Sequence, residues 1–184
     1  MRYYRSCLKR HLYANGPSLT LLSKATQSSG TVEALMEEFP DARFITIIRH
    51  PYKSVASHVS LFAPVWRAHS PDIEKNGPVS KAYAGLAVEW YKHLFQFRLT
   101  ADPTRYHCID YRELVRHPRE TIEDVYAHFG WKVSPELHAK LEHATERQRE
   151  FKSTHEYTLE EFGLSKSWLQ AELGEIMDFY KLER

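Results

Sequence analysis

Residues Arg43 to Ile48, "RFITII", form a short run dense in β-branched side chains, and the run is cut off by Arg49-His50-Pro51. β-branched residues favour a pleated, half-buried strand. Proline suits the first turn of a helix, where its missing N–H is not needed. Helical spacing resumes from Tyr52 to Phe62. This segment therefore predicts a strand that turns directly into a helix, with Arg49 at the strand's carboxyl end. In open α/β sheets that end is where ligands bind.

The rest of the chain repeats the alternation. Helical spacing is expected from Tyr3 to Tyr13, stopped by Asn15-Gly16-Pro17. "SLTLLS", Ser18 to Ser23, reads as a short buried strand. A helix is expected over Thr31 to Phe39, and a surface excursion over Ala63 to Pro78, which holds three prolines and Gly77. A long aromatic-rich helix, Ser80 to Leu99, leads to a third strand, Arg105 to Tyr111. Further helices follow, from Pro118 to Phe129 and from Pro135 to about Gln148, with a last amphipathic one in the tail "KSWLQAELGEIMDFYKLER". Strands alternating with helices predict an α/β class with a mostly parallel sheet. With 184 residues and 42% hydrophobic content, one domain spanning 1–184 is expected.

Composition excludes several functions. The net charge of +1 provides no field to attract nucleic acid. No apolar run approaches the ~20 residues of a membrane span. The basic start, "MRYYRSCLKRHLYANG", lacks the apolar core of a secretory signal. Cys7 and Cys108 lie far apart and outside any metal-ligand spacing, so two reduced thiols in a cytoplasmic setting are expected. The 11 histidines form no HExxH or Cys/His ligand set, and no metal is expected.

Ser57 lies eight residues beyond Arg49, inside the helix that follows. Both side chains could meet one anion. A guanidinium offers planar, charge-assisted donors to phosphate, a serine hydroxyl adds another, and the helix start contributes a positive dipole end. Spacing alone leaves a plainer alternative open, a solvent-facing arginine and a small helix residue.

"FPDARFITIIRHPYKSVASH" resembles the 3′-phosphate-binding segment of sulfotransferases that use 3′-phosphoadenosine 5′-phosphosulfate. In that family a strand ends in Arg, Pro follows two residues later, and Ser comes eight after the Arg. Arg49, Pro51 and Ser57 match. "LLSK", ending at Lys24, is similar to the strand whose lysine lies near the transferred sulfuryl group. "IDYRELVRHPRETIEDVYAHFGW" resembles the unit whose tyrosine contacts adenosine, here Tyr111. "HEYTLEEFGLS", with His155, looks like a late segment of bacterial-type members. The resemblance implies a P-loop-like sulfotransferase fold and sulfuryl transfer to a hydroxyl or amine of a small-molecule, glycan or lipid acceptor. Lys24 would be the catalytic cation, and Arg49, Ser57 and Tyr111 would hold the nucleotide.

Two departures accompany it. The family's first βα unit, a strand followed by a Gly- and Ser/Thr-rich phosphosulfate cradle, has no counterpart here. "TQSSGT", Thr26 to Thr31, follows the lysine rather than preceding it. Ala25, Thr26 and Gln27 stand where many members carry a histidine base, and none of them titrates usefully near pH 7. The chain is thus expected to be the C-terminal part of the family fold, either an enzyme or a truncated, inactive remnant with weak nucleotide affinity. A missing N-terminal segment or a partner would then complete it. The absent Walker sequence argues against a P-loop kinase relative.

Overall fold

The computed structural model describes residues 1–150 and 157–182, and the chain forms two compact units, residues 1–42 and 43–184. In the first unit, α1 (Arg2–Asn15) and α2 (Val32–Glu38) flank a 3-10 turn over Thr26–Thr31. Arg5 pairs with Glu38 at 2.6 Å, and the Tyr4 ring meets Phe39 edge-on. The strand expected at Ser18 to Ser23 does not form. Those residues are irregular, with Leu19 and Leu22 58% and 90% exposed. An apolar run becomes a strand only where a ladder partner and a covering face exist, and among the described residues this one pairs with no strand.

The second unit is built on two parallel strands, β1 (Phe44–Ile48) and β2 (Tyr106–Asp110), in a register that sets Phe44 opposite Tyr106 and Ile48 opposite Asp110. They are joined through α3 (Pro51–His69) and α4 (Pro78–Thr100). After β2 come α5 (Tyr111–Arg116), α6 (Pro118–His128), α7 (Pro135–Glu150) and α8 (Lys166–Phe179). The mostly parallel α/β class therefore holds, with two strands among the described residues rather than three.

Helix starts follow local chemistry. Proline opens α3, α4 and α6, Asp110 caps α5 through the Arg112 N–H, and Ser165 caps α8 through the Trp168 N–H. The excursion expected from Ala63 is partly helix, because α3 runs through Pro64 to His69. A mid-helix proline costs about 3 kcal/mol. Packing offsets it, since the Trp66 ring lies 4.3 Å from Tyr83 and stacks beside Phe62.

The core lies between α3, α4 and α8. Val55, Ala56 and Val59 meet Ala84, Val88, Leu169 and Leu173, all essentially without solvent contact. Lys92 of α4 reaches Glu172 of α8 at 2.6 Å across the rim of this core. Ile48, Met177 and Leu182 form a smaller cluster against one face of the sheet. Ile45 and Ile47 of β1 remain partly exposed.

Candidate functional site

Parallel register determines what meets at the carboxyl end of the sheet. Ile48 pairs with Asp110, so the next residues, Arg49 and Tyr111, are neighbours. The Arg49 guanidinium lies over the Tyr111 ring, 4.8 Å from its centroid. Two residues expected from sequence to share the nucleotide, 62 positions apart, are thus in contact. A cation held over a ring face keeps its N–H edge available for an anion while the ring shields one side from water.

Arg49 is held through its backbone as well. Its carbonyl accepts a hydrogen bond from the Tyr91 hydroxyl of α4 at 2.6 Å, and that hydroxyl also contacts Ser54 Oγ on α3. Pro51, fully buried, fills the turn between them. In the sequence Tyr91 stands out only as one ring of an aromatic-rich helix. The missed signal is general, since a buried tyrosine hydroxyl nearly always has a partner.

Ser57 stands two turns into α3, half-buried, one turn beyond Ser54 on the same side of the helix. Its carbonyl accepts from the Ser60 hydroxyl at 2.8 Å. The helix start contributes less than expected. Pro51 has no N–H, the Tyr52 N–H goes to His50 Nδ1, and those of Lys53 and Ser54 go to the His50 carbonyl. Anion binding there falls to side chains and the dipole rather than to open backbone donors.

Tyr111, the first residue of α5, is positioned by a clamp beside it. Asp110 receives Arg112 Nε at 3.1 and 3.0 Å and Nη2 at 2.6 Å. Arg112 also donates to the carbonyls of Tyr180 and Lys181 beyond α8. The Arg112 hydrogen bonds hold the Asp110 carboxyl below the usual carboxylate range.

Lys24 belongs to the first unit and lies exposed in the irregular segment before the 3-10 turn. The Ser/Thr-rich string after it forms no open cradle. Ser29 and Thr31 donate their hydroxyls to the carbonyls of Thr26 and Ser28. His155 lies outside the described residues.

The histidines find local roles. His58 packs among Phe62, Tyr83 and Trp90, with its basicity lowered by burial, and His138 bonds Glu123. Among the described residues no three His, Cys, Asp or Glu converge as metal ligands, and no helix is long and apolar enough to cross a membrane. Cys7 and Cys108 are unpaired thiols, and burial pushes the Cys108 thiol up.

Comparison with known proteins follows the same lines. A model of the sulfotransferase family matches residues 2–135. The chain is 26% identical over 169 residues to the omega-hydroxy-beta-dihydromenaquinone-9 sulfotransferase Stf3 of Mycobacterium tuberculosis, covering 90% of this chain and 42% of that protein. The same holds for its counterpart in Mycobacterium bovis. The chain therefore spans about two-fifths of the length of these relatives. In structure it is similar to sulfotransferase STF9 from Mycobacterium avium, with TM-score 0.68 and 22% identity over 85% of this chain and 40% of that one. Sulfotransferase STF1 from Mycobacterium tuberculosis gives TM-score 0.62 and 23% identity, with 80% and 37% covered.

Proposed function

The chain belongs to the sulfotransferase family, and from that premise we propose that the carboxyl end of its sheet binds the 3′-phosphate and adenosine of 3′-phosphoadenosine 5′-phosphosulfate. The observation that carries this reading is the Arg49 guanidinium seated over Tyr111 where the two strands end. The donor set suits the group. A planar cation and the Ser57 hydroxyl match a phosphate dianion, and the Tyr111 ring, still 36% exposed, offers apolar surface for a nucleoside.

When bound, the nucleotide supplies a sulfuryl group for transfer to an acceptor. Arg49 and Ser57 anchor the end of the nucleotide remote from the chemistry. Anchoring of this kind turns binding into orientation of the reacting end. Lys24 is assigned the cation beside the transferred group, supported by the family-like "LLSK" and by its exposure. We assign no general base. The acceptor class is a hydroxyl on a small lipid-like molecule, supported by what the relative Stf3 is named for. The two free thiols favour a cytoplasmic setting. A further strand, from an N-terminal segment or a partner, would cover Ile45 and Ile47. Their exposure supports that part of the reading.

Titration calorimetry with adenosine 3′,5′-bisphosphate and with adenosine 5′-monophosphate tests the site. The bisphosphate should bind more tightly. Arg49→Ala should remove that preference, a loss of roughly 1.5–3 kcal/mol for one charge-assisted contact, and Ser57→Ala should remove a smaller part. Equal binding of the two nucleotides by the unsubstituted chain would refute it.

A further inference from the structure

Tyr91 lies 42 residues from Arg49 in sequence and meets it only through the fold. A phenol has one hydrogen to give. Because the Tyr91 hydroxyl donates to the Arg49 carbonyl, the contact with Ser54 must run the other way, from the serine hydroxyl to the phenol oxygen. The result is a directed chain, Ser54 to Tyr91 to Arg49, that ties α3 and α4 to the Arg49–His50 peptide just beyond β1.

We propose that Tyr91 is a positioning residue for 3′-phosphate recognition, fixing the Arg49 peptide so that the guanidinium stays over Tyr111 and faces the nucleotide. The inference rests on the reading of Arg49 given above. It goes beyond that reading by placing part of the nucleotide discrimination in a tyrosine that touches no ligand.

Four observations carry it. The Arg49 carbonyl is the first main-chain acceptor after the paired residues of β1, the point where the ladder stops constraining the chain. The Arg49 side chain makes its ring contact with Tyr111 4.8 Å away, and a small rotation of the backbone about Arg49, whose carbonyl Tyr91 holds, would swing a side chain of that length off the ring. The phenol also stays a donor under all physiological conditions, because burial pushes its pKa up to about 12 against the opposing pull of Ser54 and Arg49. Ser54 shares the α3 face with Ser57, so the same chain registers the second phosphate-facing residue against the first.

The test compares nucleotide preference, not affinity alone. Dissociation constants for adenosine 3′,5′-bisphosphate and adenosine 5′-monophosphate are measured by calorimetry on the full chain and on Tyr91→Phe, Ser54→Ala and Arg49→Ala, with melting temperature recorded for each. Arg49→Ala should erase the preference. Tyr91→Phe, which keeps the ring and its packing, should lower it about five- to tenfold while leaving 5′-monophosphate binding unchanged, the size of one well-placed hydrogen bond. Ser54→Ala, which loosens only the far end of the chain, should fall between Tyr91→Phe and the unsubstituted protein. It carries the test alone if Tyr91→Phe fails to fold. A preference preserved in Tyr91→Phe and Ser54→Ala but lost in Arg49→Ala would overturn the inference and leave the site standing. Equal loss of both nucleotides together with a fallen melting temperature would reduce Tyr91 to a structural residue. No preference in the unsubstituted chain would overturn site and inference together.

Discussion

Leu173→Ala tests whether α8 is a structural member of the sheet-bearing unit. Leu173 has no solvent exposure and sits in the cluster that joins Val55, Val59, Ala84 and Val88. The substitution removes three carbon groups. At about 0.8 kcal/mol each, the transfer cost is roughly 2.4 kcal/mol. The void left between three packed helices raises this, and buried leucine-to-alanine changes typically cost about 3–5 kcal/mol. Urea unfolding followed by tryptophan fluorescence is the suitable assay. All four tryptophans, Trp66, Trp90, Trp131 and Trp168, lie beyond residue 42, so the signal reports this unit alone. Leu61→Ala serves as the reference, because Leu61 is 66% exposed and should change stability by less than about 0.5 kcal/mol. A loss below about 1 kcal/mol for Leu173→Ala, or equal losses for the two variants, would refute the packing described for α8.

Acid should weaken the Asp110 clamp. Arg112 holds the Asp110 carboxyl below its ordinary range, so its stabilisation is complete above the unfolded carboxylate pKa and is lost as pH falls through the lowered folded value. Melting curves from pH 6 down to pH 2 should therefore show a fall that is smaller in Asp110→Asn, and identical curves would show that the clamp contributes nothing. With labelled phosphosulfate donor and a panel of hydroxyl and amine acceptors, Lys24→Ala should lower turnover by about 10²–10³, the usual cost of one donor aimed at developing charge. Turnover unchanged in Lys24→Ala would remove Lys24 from the reacting end.

The strand-to-helix turn of the candidate site is more legible in the sequence than the fold around it. Arg49, Pro51 and Ser57 were legible because a strand, its stop and a helix start are all local events recorded in adjacent residues. Tyr111 was legible only by resemblance. Its contact with Arg49 depends on parallel register, which no local pattern encodes. Ser18 to Ser23 misled because an apolar run states a preference for burial without naming a partner, and Leu22 ended up 90% exposed. Pro64 misled in the opposite direction, since the ring of Tyr83 on α4, packed against Phe62 and Trp66 of the same helix as Pro64, outweighs a local helix breaker. Tyr91 shows in the sequence only as one ring of an aromatic-rich helix, and its hydroxyl finds its acceptor through tertiary contact.

The place of α8 in the core also determines when the unit can fold during synthesis. Val55 and Leu169 pack together although more than a hundred residues separate them, and closing a loop of that length costs about 4 kcal/mol of chain entropy. Until residues beyond 166 have left the ribosome, the apolar seam between α3 and α4 lacks its third wall. For that interval the sides of Val55, Val59 and Val88 that α8 completes stay open to water. The unit can therefore complete its fold only after translation has passed α8, and until then the open seam is apolar surface prone to association.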